Sequence, residues 1–162
     1  MILYDNKNER SDRLQPYLSQ ADKEGRLLSV VTADPTKEKR ALSLRDGRKK
    51  VPYLVHDARP LVEKYRAATT RFASFLREGQ KVSMSKKFAG WTWIGDWEHL
   101  LYDRFDYVLD VERYVESRRL EPRMPSTWVC CFRNEGFCSL PLPQVMELFE
   151  LHTAVAFKHV KF

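Results

Sequence analysis

Two runs in this chain are apolar almost throughout: Leu27-Leu-Ser-Val-Val-Thr32 and Thr127-Trp-Val-Cys-Cys-Phe132. A strand with one face in water alternates apolar and polar residues, whereas a strand covered on both faces does not. Segments of helical periodicity lie around these two runs. Leu14, Tyr17, Leu18 and Ala21 share one helix face behind a Ser11 cap, and Gly25 suits the C′ position. Asp34 and Pro35 suit the cap and first turn of a short helix. An apolar stripe containing Tyr65, Phe72 and Phe75 predicts a helix over about 61–78, stopped by Gly79. Trp97, Leu101, Phe105 and Val108 predict another from Asp96 to about Ser117, and Pro143 opens a last one through about His152. Further strands are expected at Ile2–Tyr4, Val51–His56, Lys81–Lys86 and Ala154–Val160.

Strand and helix therefore alternate. The pattern predicts one three-layer α/β domain over residues 1–162, with a mostly parallel central sheet of about six strands flanked by helices. A chain of 162 residues can bury a full core of this kind. It shows no internal repeat, low-complexity tract or linker. No apolar run is long enough to span a membrane, and the start of the chain lacks a signal-peptide layout, so a cytoplasmic protein is expected.

In an open parallel sheet, ligands bind beyond the carboxyl ends of the strands. The rim so defined collects Tyr4 and Asp5, Thr32 and Asp34, His56 and Asp57, Trp91 and Trp93, and Arg133 and Asn134. Three of the four tryptophans lie between Trp91 and Asp103. Trp97 is read as core. Trp91 and Trp93 share a face if extended and are either core or the wall of an apolar pocket. The acids Asp5, Asp34 and Asp57 are read as caps and turn residues, with cation chelation as the alternative.

Cys130 and Cys131 are adjacent, so on a strand their thiols point to opposite faces and cannot share one metal. Buried free thiols are expected, and no metal site or cofactor. His152, at a helix end, is placed to bond terminal carbonyls, with ligand binding as the alternative. Tyr102 and Asp103 point about 100° apart within a helix. The net charge of +6 raises the question of nucleic acid. The one compact basic cluster, Arg45, Arg48, Lys49 and Lys50, surrounds the Asp46-Gly47 turn and reads as a solvated loop before a phosphate-binding patch. A phosphate loop requires glycines and a Lys-Ser/Thr pair, but the first strand is followed by Asp5-Asn-Lys-Asn-Glu-Arg10.

Several of these motifs occur in a recognisable order. Ile2-Leu-Tyr4-Asp5 opens the chain, and Trp91 precedes Gly95-Asp-Trp97-Glu98 and Leu100-Leu-Tyr102-Asp103. Val129-Cys-Cys-Phe132, Gly136-Phe137 and Leu151-His152 follow. This order resembles the MEDS domain, the sensory domain of methanogen and methylotroph proteins. The resemblance implies a RecA/KaiC-like fold without the phosphate loop and a role in sensing small organic molecules. Carried over, the matching residues are Tyr4, Trp91, Tyr102, Asp103, Cys130 and His152.

Together these readings describe a non-enzymatic sensory domain acting in signal transduction or transcriptional control. It would bind a small organic ligand through Tyr4, Asp5, His56, Trp91, Trp93, Tyr102, Asp103, Cys130 and His152. Its output would pass through a regulatory protein or a homo-oligomer. A nucleic-acid-associated protein and a degenerate RecA-like nucleotide-binding protein are the alternatives.

Overall fold

The central layer of the computed structural model is a five-stranded sheet in the order β1-β5-β4-β2-β3, with every pairing parallel. The strands are β1 (Ile2–Tyr4), β2 (Leu27–Thr32), β3 (Tyr53–Asp57), β4 (Trp91–Asp96) and β5 (Ser126–Arg133). Around them lie α1 (Lys7–Glu24), α2 (Pro35–Ser43), α3 (Phe105–Arg119), α4 (Asn134–Cys138) and α5 (Leu142–Glu150). The structure describes residues 1–43, 53–59, 74–75, 77–79, 81–82, 84, 88–97, 105–119, 125–152 and 154.

The sheet separates two apolar layers. On one face Ile2, Tyr4, Leu28, Val30, Ile94 and Cys131 pack with Leu14 and Leu18 of α1 and Leu42 of α2. On the other, Leu3, Val31, Trp91, Trp93, Cys130 and Phe132 pack with Val108 and Val111 of α3 and Leu148 of α5. β2 is buried at all six positions, as its nearly all-apolar run requires. Cys130 and Cys131 point into opposite layers, as strand alternation dictates.

Local signals placed several boundaries. Gly25 takes φ 65° and its N–H bonds Ala21 O, which closes α1. Asp34 caps α2 by accepting from Lys37 N at 3.1 Å. Others fell elsewhere. α1 begins at Lys7 because Asn6, not Ser11, is the cap: its Oδ1 accepts from Asn8 N and Glu9 N, both at 3.1 Å. The short α4 follows β5 directly, opening at Asn134.

The largest correction concerns the fourth strand. Lys81, Val82 and Met84 are helical, and the strand is Trp91–Asp96, where the indoles themselves were expected to follow it. Gly79 is helical too and does not stop the chain. A Cβ there would come within 2.7 Å of the Trp91 indole, so the helix needs glycine to lie against that ring. Asp96 closes β4 instead of opening a helix; Phe105–Arg119 is helical as expected, and 98–104 lie outside the described residues. The described sheet has five strands rather than six. The sixth was expected at Ala154–Val160; Ala154 is in no strand, and 155–160 lie outside the described residues. Most of the predicted 61–78 helix also lies outside them; Ser74, Phe75, Arg77 and Glu78 are helical.

All four tryptophans join in one chain of rings across this layer. Trp91 and Trp93 each lie 5.3 Å from Trp128, and Trp93 lies 5.8 Å from Trp97, centroid to centroid. These are favourable tilted and edge-on separations. Gly95 makes room for the last pair, because a Cβ there would overlap the Trp93 ring and reach Trp97 at 3.0 Å. Gly95→Ala should therefore overpack the layer and cost about 1–3 kcal/mol, read as a lower urea midpoint at unchanged slope. A midpoint equal to that of the parent chain would show that the indole stack yields.

Candidate functional site

The chain leaves β2 for β3 on one side and β4 for β5 on the other, while β2 and β4 lie side by side. Their carboxyl ends thus form a topological switch point, where open α/β sheets leave a crevice. A cleft of about 240 Å³ opens there, on the α1/α2 face. Tyr4 ends β1, Thr32 ends β2 and Asp96 ends β4; Lys7, Arg10 and Ser11 of α1, the cap Asp34, and Lys37 and Glu38 of α2 complete its polar lining.

The floor is an ion-pair network. Arg10 is only 8 % exposed, although it carries a full charge. Its Nε lies 3.2 Å from Asp96 Oδ2, and its Nη1 donates to Glu38 Oε2 at 3.3 Å. The Tyr4 hydroxyl donates to Asp96 Oδ1 at 3.3 Å. Burial pulls the guanidinium pKa down, yet Asp96 and the other nearby acidic groups hold it above its ordinary value. Arg10 Nη2 has no hydrogen-bond partner among the described residues.

The first turn of α1 leaves little for a phosphate. The amides of Asn8 and Glu9 are taken by Asn6, and Asp5 N donates to Glu9 Oε2 at 2.8 Å. The chain supplies its own acceptors where a phosphate loop would present free N–H groups.

The residues singled out from sequence separate into several places. Tyr4 joins the cleft, and Asp5 sits beside it, accepting from Asn134 Nδ2 at 2.7 Å. Trp91 and Trp93 lie along β4, not beyond its carboxyl end, and both are buried, Trp93 completely. Trp91 Nε1 donates to Ser29 Oγ at 2.8 Å, so both indoles belong to the core layer. His56 is on β3, edge-on to Phe75 at 4.4 Å, and burial lowers its pKa. Tyr102, Asp103 and the Arg45, Arg48, Lys49 and Lys50 cluster lie outside the described residues.

Cys130 and His152 meet on the opposite face of the sheet from the cleft, with Glu112 of α3 between them. His152 Nε2 lies 3.4 Å from Glu112 Oε2, and Trp97 Nε1 donates to Glu112 Oε1 at 3.0 Å. The His152 Nδ1 contact with Leu148 O, at 2.7 Å, is the helix-end bond expected of this histidine. Burial, with Glu112 beside it, pushes the Cys130 thiol well up.

Arg10, Glu38 and Glu112 were not anticipated. Arg10 and Glu112 lie on helices where charged residues abound, and only helical spacing marks them: Arg10 stands on the stripe of Leu14, Leu18 and Ala21. A partial signal existed for Glu112: it follows Val108 and Val111 on the apolar side of its helix.

Burial also pushes the Cys131 thiol from 9.0 up to about 12. The native state then keeps a proton that the unfolded chain sheds above about pH 9. This contribution to stability is intact below pH 9 and is lost as pH rises towards 12. Thermal unfolding scans across that range should show a falling Tm, with a shallower fall for Cys131→Ala. Cys138 is exposed and the other two cysteines are buried. A thiol titration at neutral pH should accordingly count one reactive group in the native chain and three after denaturation; three in the native chain would refute the burial.

Comparison with known protein families, with characterised proteins and with solved structures returns no match, so the functional reading rests on the geometry of these sites.

Proposed function

We propose that this chain is a non-enzymatic sensory domain that binds a small organic molecule in the cleft between β2, β4, α1 and α2. It would act in signal transduction or transcriptional control, passing its state to a regulatory protein or to a second copy. The observation that carries this reading is the charged network of Arg10, Asp96, Glu38 and Tyr4 at the switch point of a parallel sheet. Charged groups held at the floor of a crevice orient a ligand more sharply than an apolar wall does.

The cleft is smaller than the roughly 300–1,000 Å³ usual for drug-sized ligands. Its lining mixes the cations Lys7, Arg10 and Lys37 with the acids Asp34, Glu38 and Asp96. A compact molecule with a polar head suits it. The indoles, packed as core, serve as a rigid backing for the sheet rather than as the binding wall. The MEDS resemblance supports the sensory part of the reading.

A thermal-shift screen of small carboxylic acids, amines, alcohols and haloalkanes tests it. A ligand at about a hundred times its Kd should add about 2.7 kcal/mol of stability and raise Tm by several degrees. Lys37 is exposed at the cleft. Lys37→Ala should therefore weaken a carboxylate ligand about tenfold while leaving the unliganded Tm unchanged. Binding that ignores Lys37→Ala and Asp34→Ala alike, or no Tm rise across the panel, would count against the cleft.

A further inference from the structure

We infer that Glu112, Cys130 and His152 form a metal site for Zn²⁺ or a cation of similar coordination chemistry. The site is separate from the cleft, on the other side of the sheet. The three come from α3, β5 and the end of α5, and one ligand atom from each lies within 4.8 Å of the others. Sulfur, imidazole nitrogen and carboxylate oxygen together are the donor set of a borderline cation such as zinc.

The spacing of two of these atoms already fits. Zn–N and Zn–O bonds of about 2.0–2.2 Å at a tetrahedral angle hold N and O about 3.4 Å apart. His152 Nε2 and Glu112 Oε2 are 3.4 Å apart. With a Zn–S bond of about 2.3 Å, tetrahedral geometry places the sulfur about 3.6 Å from each of the other two donors, and in the structure all three lie within 4.8 Å of one another.

The outer partners point the same way. Contact with Leu148 O, which can only accept, puts the imidazole proton on Nδ1. That leaves the Nε2 lone pair facing the centre of the cluster, and Nε2 has no hydrogen-bond partner among the described residues. A backbone carbonyl fixing the far nitrogen is the usual support of a metal-bound histidine. Trp97 Nε1 does the same for the carboxylate, holding Oε1 and leaving Oε2 inward.

Charge completes the argument. Glu112 is 3 % exposed, and Cys130 is buried beside it. A divalent cation, one carboxylate and one thiolate sum to zero, so the loaded site is neutral where net charge is costly. Uptake displaces one proton, from the Cys130 sulfur, to solvent. The fourth tetrahedral position is left to water or a further ligand.

Titration of the purified full chain with Co²⁺, followed by competition with Zn²⁺, tests the site. One equivalent should produce the visible bands of tetrahedral cobalt and a near-ultraviolet thiolate charge-transfer band, and Zn²⁺ should erase both. Cys130→Ser should abolish the charge-transfer band, whereas Cys131→Ser and Cys138→Ser should keep it. Trp97→Phe leaves all three ligands in place but removes the orienting N–H, and should weaken affinity about 10–100-fold. Circular dichroism identifies any variant that fails to fold. A folded parent chain that shows no tetrahedral cobalt spectrum overturns the proposal. So does a charge-transfer band that survives Cys130→Ser.

Discussion

Arg10 keeps a full positive charge where water scarcely reaches, and Asp96 and Glu38 within ion-pair distance make that sustainable. The two acids belong to different elements: Asp96 ends β4 and Glu38 is on α2. Tyr4, at the end of β1, holds the other oxygen of Asp96. One guanidinium on α1 thereby ties α1 and α2 to the carboxyl ends of the strands. Removing it would leave two carboxylates in a poorly solvated place, so the cleft and the helix packing stand or fall together.

The two faces of the sheet are organised differently. The α1/α2 face ends in the charged cleft. The opposite face carries the tryptophans and the Glu112, Cys130 and His152 cluster. Strand alternation alone sends Cys130 to one and Cys131 to the other. Neighbouring residues thus take part in unrelated chemistry: Cys131 lies near Arg10 and Asp96, and Cys130 beside Glu112.

The layered α/β plan was legible because apolar runs and helical stripes are local patterns. The continuous apolar runs of β2 and β5 already implied covered, parallel strands, and the caps at Asp34 and Gly25 lay in plain view. The fourth strand was misplaced for a physical reason. Lys81 to Lys86 alternates in polarity, but six residues are too few for alternation to tell strand from helix, and Lys81, Val82 and Met84 are helical. Trp91 to Asp96 is a covered strand, buried at all but its last position, and holds a glycine, so it lacks the sustained alternation that marks a half-exposed strand. Of the site, the rim positions of Tyr4, Thr32 and Asp34 and the carbonyl bond of His152 followed from local sequence. Arg10 with Asp96, and Glu112 with Cys130, are pairings across the fold that no spacing along the chain encodes.

A double-mutant cycle on Arg10 and Asp96 addresses the central claim most directly, with Arg10→Met, Asp96→Asn and the double variant compared by urea unfolding. Each single change strands a buried partner and should cost about 3–5 kcal/mol. The double variant strands less charge and should cost well below the sum, with a coupling energy of about 1–3 kcal/mol. Losses that simply add would show that the two groups do not hold the switch point together.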